Sequence, residues 1–149
     1  MSDISLSSFV DKISEIMPVI MKQFSRYQMN ELYKGKITLP QFFILEFLST
    51  NKQSKMKDLA GFMEVTTAAA TGIVDRLVRD SYIVRFYDPA DRRVVMVKLT
   101  PKGSELVKKI IQQRRQATIK MFSRISEADR QDYLRILIQI KNTLFRENQ

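Results

Sequence analysis

The 149-residue chain contains no histidine, no cysteine and no tryptophan, and only four glycines and four prolines. Without cysteine there is no disulfide, no thiolate nucleophile and no Cys-ligated zinc. Without histidine the usual general base and the commonest metal ligand are missing, so hydrolases built on Ser-His or Cys-His pairs are excluded. Carboxylate, lysine or tyrosine chemistry remains, but no constellation in the sequence assembles it. The chain reads as a binding protein, not an enzyme, and calls for no cofactor. Long hydrophobic runs are lacking too: uncharged stretches such as Ile16 to Met21 fall far short of the roughly 20 residues that span a bilayer. The N-terminus carries Asp3 and no basic segment before an apolar core, so no secretion signal is visible. The expectation is a cytoplasmic protein without a membrane partner.

What is present in excess is positive charge. The 25 Lys and Arg outnumber the 16 Asp and Glu, giving a net charge of +9. The excess rises along the sequence. Residues 1–51 hold 5 basic and 5 acidic side chains, residues 52–100 hold 9 and 6, and residues 101–149 hold 11 and 5. Such an asymmetry points to a polyanionic partner, nucleic acid or an anionic membrane surface. The 44% hydrophobic and 28% charged fractions are those of an ordinary globular domain, and at this length one domain is the default.

The few glycines and prolines divide the chain. From Ser7 to Tyr33, Phe9, Ile13, Ile16, Met17, Ile20, Phe24 and Tyr27 recur at steps of three and four, one helical face. Pro18 lies inside that pattern and predicts a kink, and Lys34-Gly35-Lys36 closes it. Thr38 with Gln41 reads as a capping box, followed by a buried helix over Gln41 to Leu48. Ser54 to Met63 reads as a two-turn helix capped by Ser54. Thr66 caps a second helix to Asp80, with Ala70, Val74 and Leu77 facing inward. This pair is a helix-turn-helix pattern. The period then changes to two: Tyr82 to Tyr87 and Val94 to Leu99 are β-branched and aromatic runs about the charged tip Asp88-Pro89-Ala90-Asp91-Arg92-Arg93, a β-hairpin. Thr100 as cap and Pro101 at the first helical position open the next helix, with Leu106, Ile110, Ala117 and Met121 on its apolar side. Ser126 with Asp129 opens the last, whose face is Leu134, Leu137, Ile138, Lys141, Leu144 and Phe145. The order α-α-α-α-β-β-α-α makes the fold mainly α with a small β-hairpin wing: a winged helix-turn-helix flanked by long terminal helices.

Within this pattern, Val74-Asp75-Arg76-Leu77, the tip from Asp88 to Arg93, Leu99-Thr100-Pro101-Lys102-Gly103 and Thr38-Leu39-Pro40-Gln41 resemble the MarR family of transcription regulators. The likeness covers essentially the whole chain. It implies a homodimer, of bacterial or archaeal origin, formed by terminal helices at about 5–34 and 104–146. The winged lobe, about 38–100, would bind palindromic double-stranded DNA. It further implies a small amphipathic or phenolic effector, as for many relatives. Two departures stand out: Ser81 occupies a position where relatives often have Gly, and Gly72 one where some carry Arg or another long side chain. The sensing Cys and the zinc-binding His of some relatives are absent.

Candidate contacts follow. On the second helix of the pair, Thr66, Thr67, Ala68, Thr71, Gly72 and Arg76 lie off the core face. There Thr hydroxyls and small methyls can meet base edges in a major groove. In the tip, the resemblance makes Arg93 the side chain inserted into the minor groove, Asp91 its orienting partner and Arg92 a phosphate contact; the narrow minor groove favours a guanidinium. Lys55 and Lys57 are candidate phosphate contacts at a helix start. Lys108, Lys109, Arg114, Arg115 and Lys120 read as solvated charge that steers DNA from a distance. Met17, Ile20, Met21, Phe24, Phe42, Phe43 and Phe47 are candidates to line an effector pocket. The functional expectation is a ligand-responsive repressor. The alternatives are a basic amphipathic protein at an anionic membrane surface and a winged-helix module that binds protein.

Overall fold

The computed structural model describes residues 4–33 and 36–147, with side chains over 4–26 and 36–146. The side chain of Tyr27 and the Lys34-Gly35 closure lie outside the described residues. Contacts divide the chain into two compact units, Met1–Gln113 and Arg114–Gln149.

In the first unit, α1 (Leu6–Tyr33) runs on through Pro18. Next, α2 (Leu39–Asn51) starts from the expected capping box: Gln41 N donates to Thr38 Oγ1 at 3.4 Å, and Thr38 N donates to Gln41 Oε1 at 2.8 Å. Then come β1 (Gln53–Lys55), α3 (Met56–Phe62), α4 (Thr67–Arg79), β2 (Ile83–Tyr87) and β3 (Val95–Leu99). Finally α5 (Pro101–Phe122) runs across the division between the units. The order is thus α-α-β-α-α-β-β-α-α, with one strand more than the sequence pattern predicts.

That strand corrects the expected role of Ser54. Ser54 is no helix cap but the buried residue of β1, opposite Val97 on β3, and its hydroxyl donates to Lys55 O at 3.1 Å. Helix α3 begins two residues later, with Lys55 at its N-cap position and no side-chain hydrogen bond there. The sheet order is β1-β3-β2, antiparallel throughout, with Ser54↔Val97 and Arg85↔Val97 in register. β3 is therefore paired on both edges.

The core is built where the period-3.6 and period-2 patterns meet. Ile44, Leu45 and Leu48 of α2, Leu59 of α3, Ala70, Val74 and Leu77 of α4, Ile83 of β2 and Val97 of β3 are buried together. The start of α5 adds Val107 and Ile110. Each large aliphatic side chain contributes about 1.5–3 kcal/mol by leaving water. Two expectations about faces need correction. Phe43 is exposed, because α2 turns it away from the core that Phe42 enters. Along α5 it is Val107, beside Ile110, that is fully buried, whereas Leu106 and Ala117 are half-buried and Met121 is exposed.

The end of α4 is tied to the start of α5. Thr100 Oγ1 donates to Ser81 O at 2.6 Å and accepts from Gly103 N at 3.0 Å. Lys102 Nζ donates to Asp80 O at 2.9 Å, above the ring of Tyr82. Ser81 takes a left-handed φ of 64°, so the turn that relatives often give to glycine is made here by an L-residue.

In the second unit, α6 (Glu127–Glu147) opens at Ser126, whose Oγ accepts from Asp129 N at 3.1 Å. The Phe122 and Tyr133 rings lie 5.6 Å apart. Leu134, Leu137, Ile138 and Phe145 are exposed along α6.

Candidate nucleic-acid interface

The α3–α4 pair and the β2–β3 hairpin carry most of the predicted contact residues. Thr66 ends the connection and caps α4, its Oγ1 accepting from Ala69 N at 3.1 Å. With Ala70, Val74 and Leu77 buried, a helical period leaves two outer rows. One row is Ala68, Gly72 and Arg76, all exposed. The other is Thr67, Thr71 and Asp75, turned toward β2. The Thr71 hydroxyl donates to Thr67 O at 2.8 Å, which leaves only its lone pairs for an outside partner. A Cβ built at Gly72 meets nothing within 4 Å, so no packing inside the chain demands glycine there.

At the wing tip, Asp91 acts on the backbone. Its Oδ1 accepts from Arg93 N at 3.0 Å, and Val94 N donates to Asp91 O at 2.9 Å. Asp88 Oδ1 accepts from Ala90 N at 2.8 Å, and Asp88 N donates to Val94 O at 3.0 Å. The tip is thus a pair of side-chain-braced turns. Arg92 and Arg93 are exposed, and neither forms an ion pair among the described residues. Free guanidiniums on a fixed turn suit a negatively charged groove. Arg92, with Tyr87, Asp88 and Pro89, also borders a shallow concavity at the base of the tip. Lys55 and Lys57 are exposed at the start of α3.

The other candidates are more dispersed. Phe42 is in the core, while Phe47 stacks on Phe62 at 4.3 Å between ring centroids. On α1, Met17, Ile20 and Met21 are exposed and Phe24 is half-buried. Of the basic residues of α5, Lys108, Lys109, Arg115 and Lys120 are exposed and Arg114 is half-buried.

Sequence reasoning missed the partnership across the α4–β2 gap. Arg85 Nη2 donates to Asp75 Oδ1. Beside the pair lies a concavity of about 430 Å³ lined by Met56, Thr67, Thr71, Arg85, Phe86, Tyr87 and Val95. A signal existed: Arg85 shares strand parity with Ile83, so a charge sits on the face that Ile83 buries.

With this geometry in view, the similarities to known proteins can be placed. The family model described as "MarR family" matches residues 37–95, which run from the start of α2 to the start of β3. A MepR-like protein, solved in complex with pseudoligands, is 31% identical; the match covers 91% of this chain and 95% of that one, with a TM-score of 0.59. The chain belongs to the MarR family. Among curated relatives, the uncharacterized HTH-type transcriptional regulator YsmB of Bacillus subtilis (strain 168) is 27% identical over 93% of this chain and 92% of its own. The HTH-type transcriptional repressor MdtR of the same organism is 26% identical over 87% of this chain and 77% of its own. The MarR-family winged lobe is thus present here with its wing, and its third strand is β1. Among the described residues, no helix is long and apolar enough to cross a membrane.

Proposed function

We propose that this MarR-family chain is a sequence-specific double-stranded DNA-binding regulator: a cytoplasmic repressor that holds a palindromic operator as a homodimer and releases it to a small amphipathic or phenolic effector. One observation carries the DNA reading. A capped helix presents Thr67, Ala68, Thr71, Gly72 and Arg76 off its core face, and the adjoining wing carries the unpaired Arg92 and Arg93 on a braced turn. In this reading α4 enters a major groove and the wing an adjacent minor groove, with Lys55 and Lys57 on phosphate. Thr71, its proton donated to the helix, reads base amino groups by accepting. The repressor assignment draws on the name of MdtR, and the effector on the MepR-like protein solved with pseudoligands. The homodimer draws on the exposed apolar residues of α1 and α6, since large apolar patches are rare on monomers.

The test is selection of bound fragments from random DNA, then titration of the recovered duplex. A palindrome with half-sites about one helical turn apart is expected. Arg93→Ala is expected to cost about 1–3 kcal/mol per half-site and to change preference at A·T-rich flanks. Lys57→Ala weakens all sequences alike and lowers the salt slope by about one. Failure to enrich any sequence, or binding to anionic vesicles in its place, refutes the reading.

A further inference from the structure

We propose that Gly72 marks the closest approach of α4 to DNA, and that the space left by its missing side chain takes the 5-methyl group of a thymine in each half-site. This rests on the DNA-binding reading above. Gly72 lies in the interior of α4, with Val74 and Leu77 buried beyond it. A glycine there weakens the helix relative to alanine, because its backbone gives up more freedom on folding. Among the described residues nothing accounts for that cost. Gly72 has no left-handed φ, and a Cβ built on it meets nothing within 4 Å. The other glycines differ. Gly103 has Tyr82 O where a side chain would go, and Gly61 sits near the end of α3, where a glycine costs less.

The reason for Gly72 then lies outside the chain. Gly72 is exposed, with Ala68 and Arg76 one turn to either side on the same outer row. A helix enters a groove only as far as its bulkiest contact allows, and a glycine removes that limit at one spot. The chemistry of the facing base follows from what glycine lacks. Guanine, cytosine and adenine present hydrogen-bonding atoms in the major groove. Pressed against Gly72 these would lose water and find no side chain in exchange, which is costly. Thymine alone adds an apolar methyl group at that edge, and a methyl group needs no partner, only room.

The experiment titrates the parent and Gly72→Ala against the selected operator, and against copies in which deoxyuridine replaces each thymine in turn, symmetrically in both half-sites. Deoxyuridine pairs as thymine does and lacks only the 5-methyl group. Gly72→Ala is expected to melt about 2–4 °C above the parent. It nevertheless binds the operator about tenfold weaker, because each added methyl group meets space already filled. The slope of log affinity against log salt stays that of the parent, since no charge is removed. At one deoxyuridine position the order reverses: the parent loses affinity and Gly72→Ala gains it, its own methyl group replacing the one taken from the base. Melting of Gly72→Ala below the parent overturns the proposal, because the glycine then serves the fold. Operator binding equal to the parent's overturns it too, as does a loss that no deoxyuridine relieves. Failure of the DNA reading itself shows earlier and separately, in a parent that selects no operator.

Discussion

Gly103→Ala puts one methyl group where helix α5 leaves the winged lobe, and its cost can be worked from distances. The added Cβ lies 2.1 Å from Tyr82 O, 3.0 Å from the carbonyl carbon and 3.3 Å from Leu99 Cδ2. The first obstacle is backbone, so no rotamer change relieves it, and the carbonyl must retreat by roughly 1 Å or more to reach van der Waals separation. Tyr82 O also accepts from Thr100 N at 3.1 Å, and that bond stretches as the carbonyl retreats. Overpacking costs about 2 kcal/mol and the lost hydrogen bond about 1, against a gain of at most about 1 from replacing a helical glycine. The net is a loss of about 2 kcal/mol, which for a chain of this size is about 4–8 °C in melting temperature. Melting by circular dichroism at one fixed protein concentration reads the shift. Gly61→Ala and Gly72→Ala are the controls, because a Cβ at either position meets nothing within 4 Å. The reasoning is refuted if Gly103→Ala melts at or above the parent.

Two further outcomes are expected. Ser81→Gly relieves a φ of 64° and raises stability by about 0.5–1 kcal/mol after the extra chain entropy of glycine is offset; a urea midpoint shifted downward at unchanged slope contradicts this. Ile138→Asp with Phe145→Asp places charge on exposed apolar positions of α6, and sedimentation is expected to fall from twice the 17.4 kDa chain mass to that mass, with helical signal retained. A parent that already sediments at 17.4 kDa refutes the dimer.

The capping box at Thr38, the helix-turn-helix pair and the wing were legible because their causes are local. Thr38 and Gln41 are three residues apart and satisfy each other wherever the rest of the chain goes, and Thr66 accepts from Ala69 N, also three residues on. β1 was not legible. Three residues in an exposed-buried-exposed pattern are too few to show a period, and Ser54 before a helix resembles a cap until β3 is seen beside it. The fully buried Val107 and the outward Phe43 show the same limit: a helix with apolar residues on several sides does not announce which side its neighbours cover. In the candidate site, the outward placement of Thr67, Ala68, Gly72 and Arg76 followed from helical spacing, and the exposure of Arg92 and Arg93 from their place in a turn. The Arg85–Asp75 link joins two elements across ten positions, and no local rule pairs them.

The third strand has a consequence for how such a protein diversifies. A hairpin of two strands is marginal by itself, so a free wing would lose its shape whenever its tip changed. Here β1 pairs with β3 from the far side, and the register Gln53↔Lys98 to Lys55↔Met96 ties the wing's base to the chain that leads into α3. The segment from Asp88 to Val94 then hangs from a finished scaffold. Descendants of this sequence can exchange that segment residue by residue without having to rediscover the fold each time.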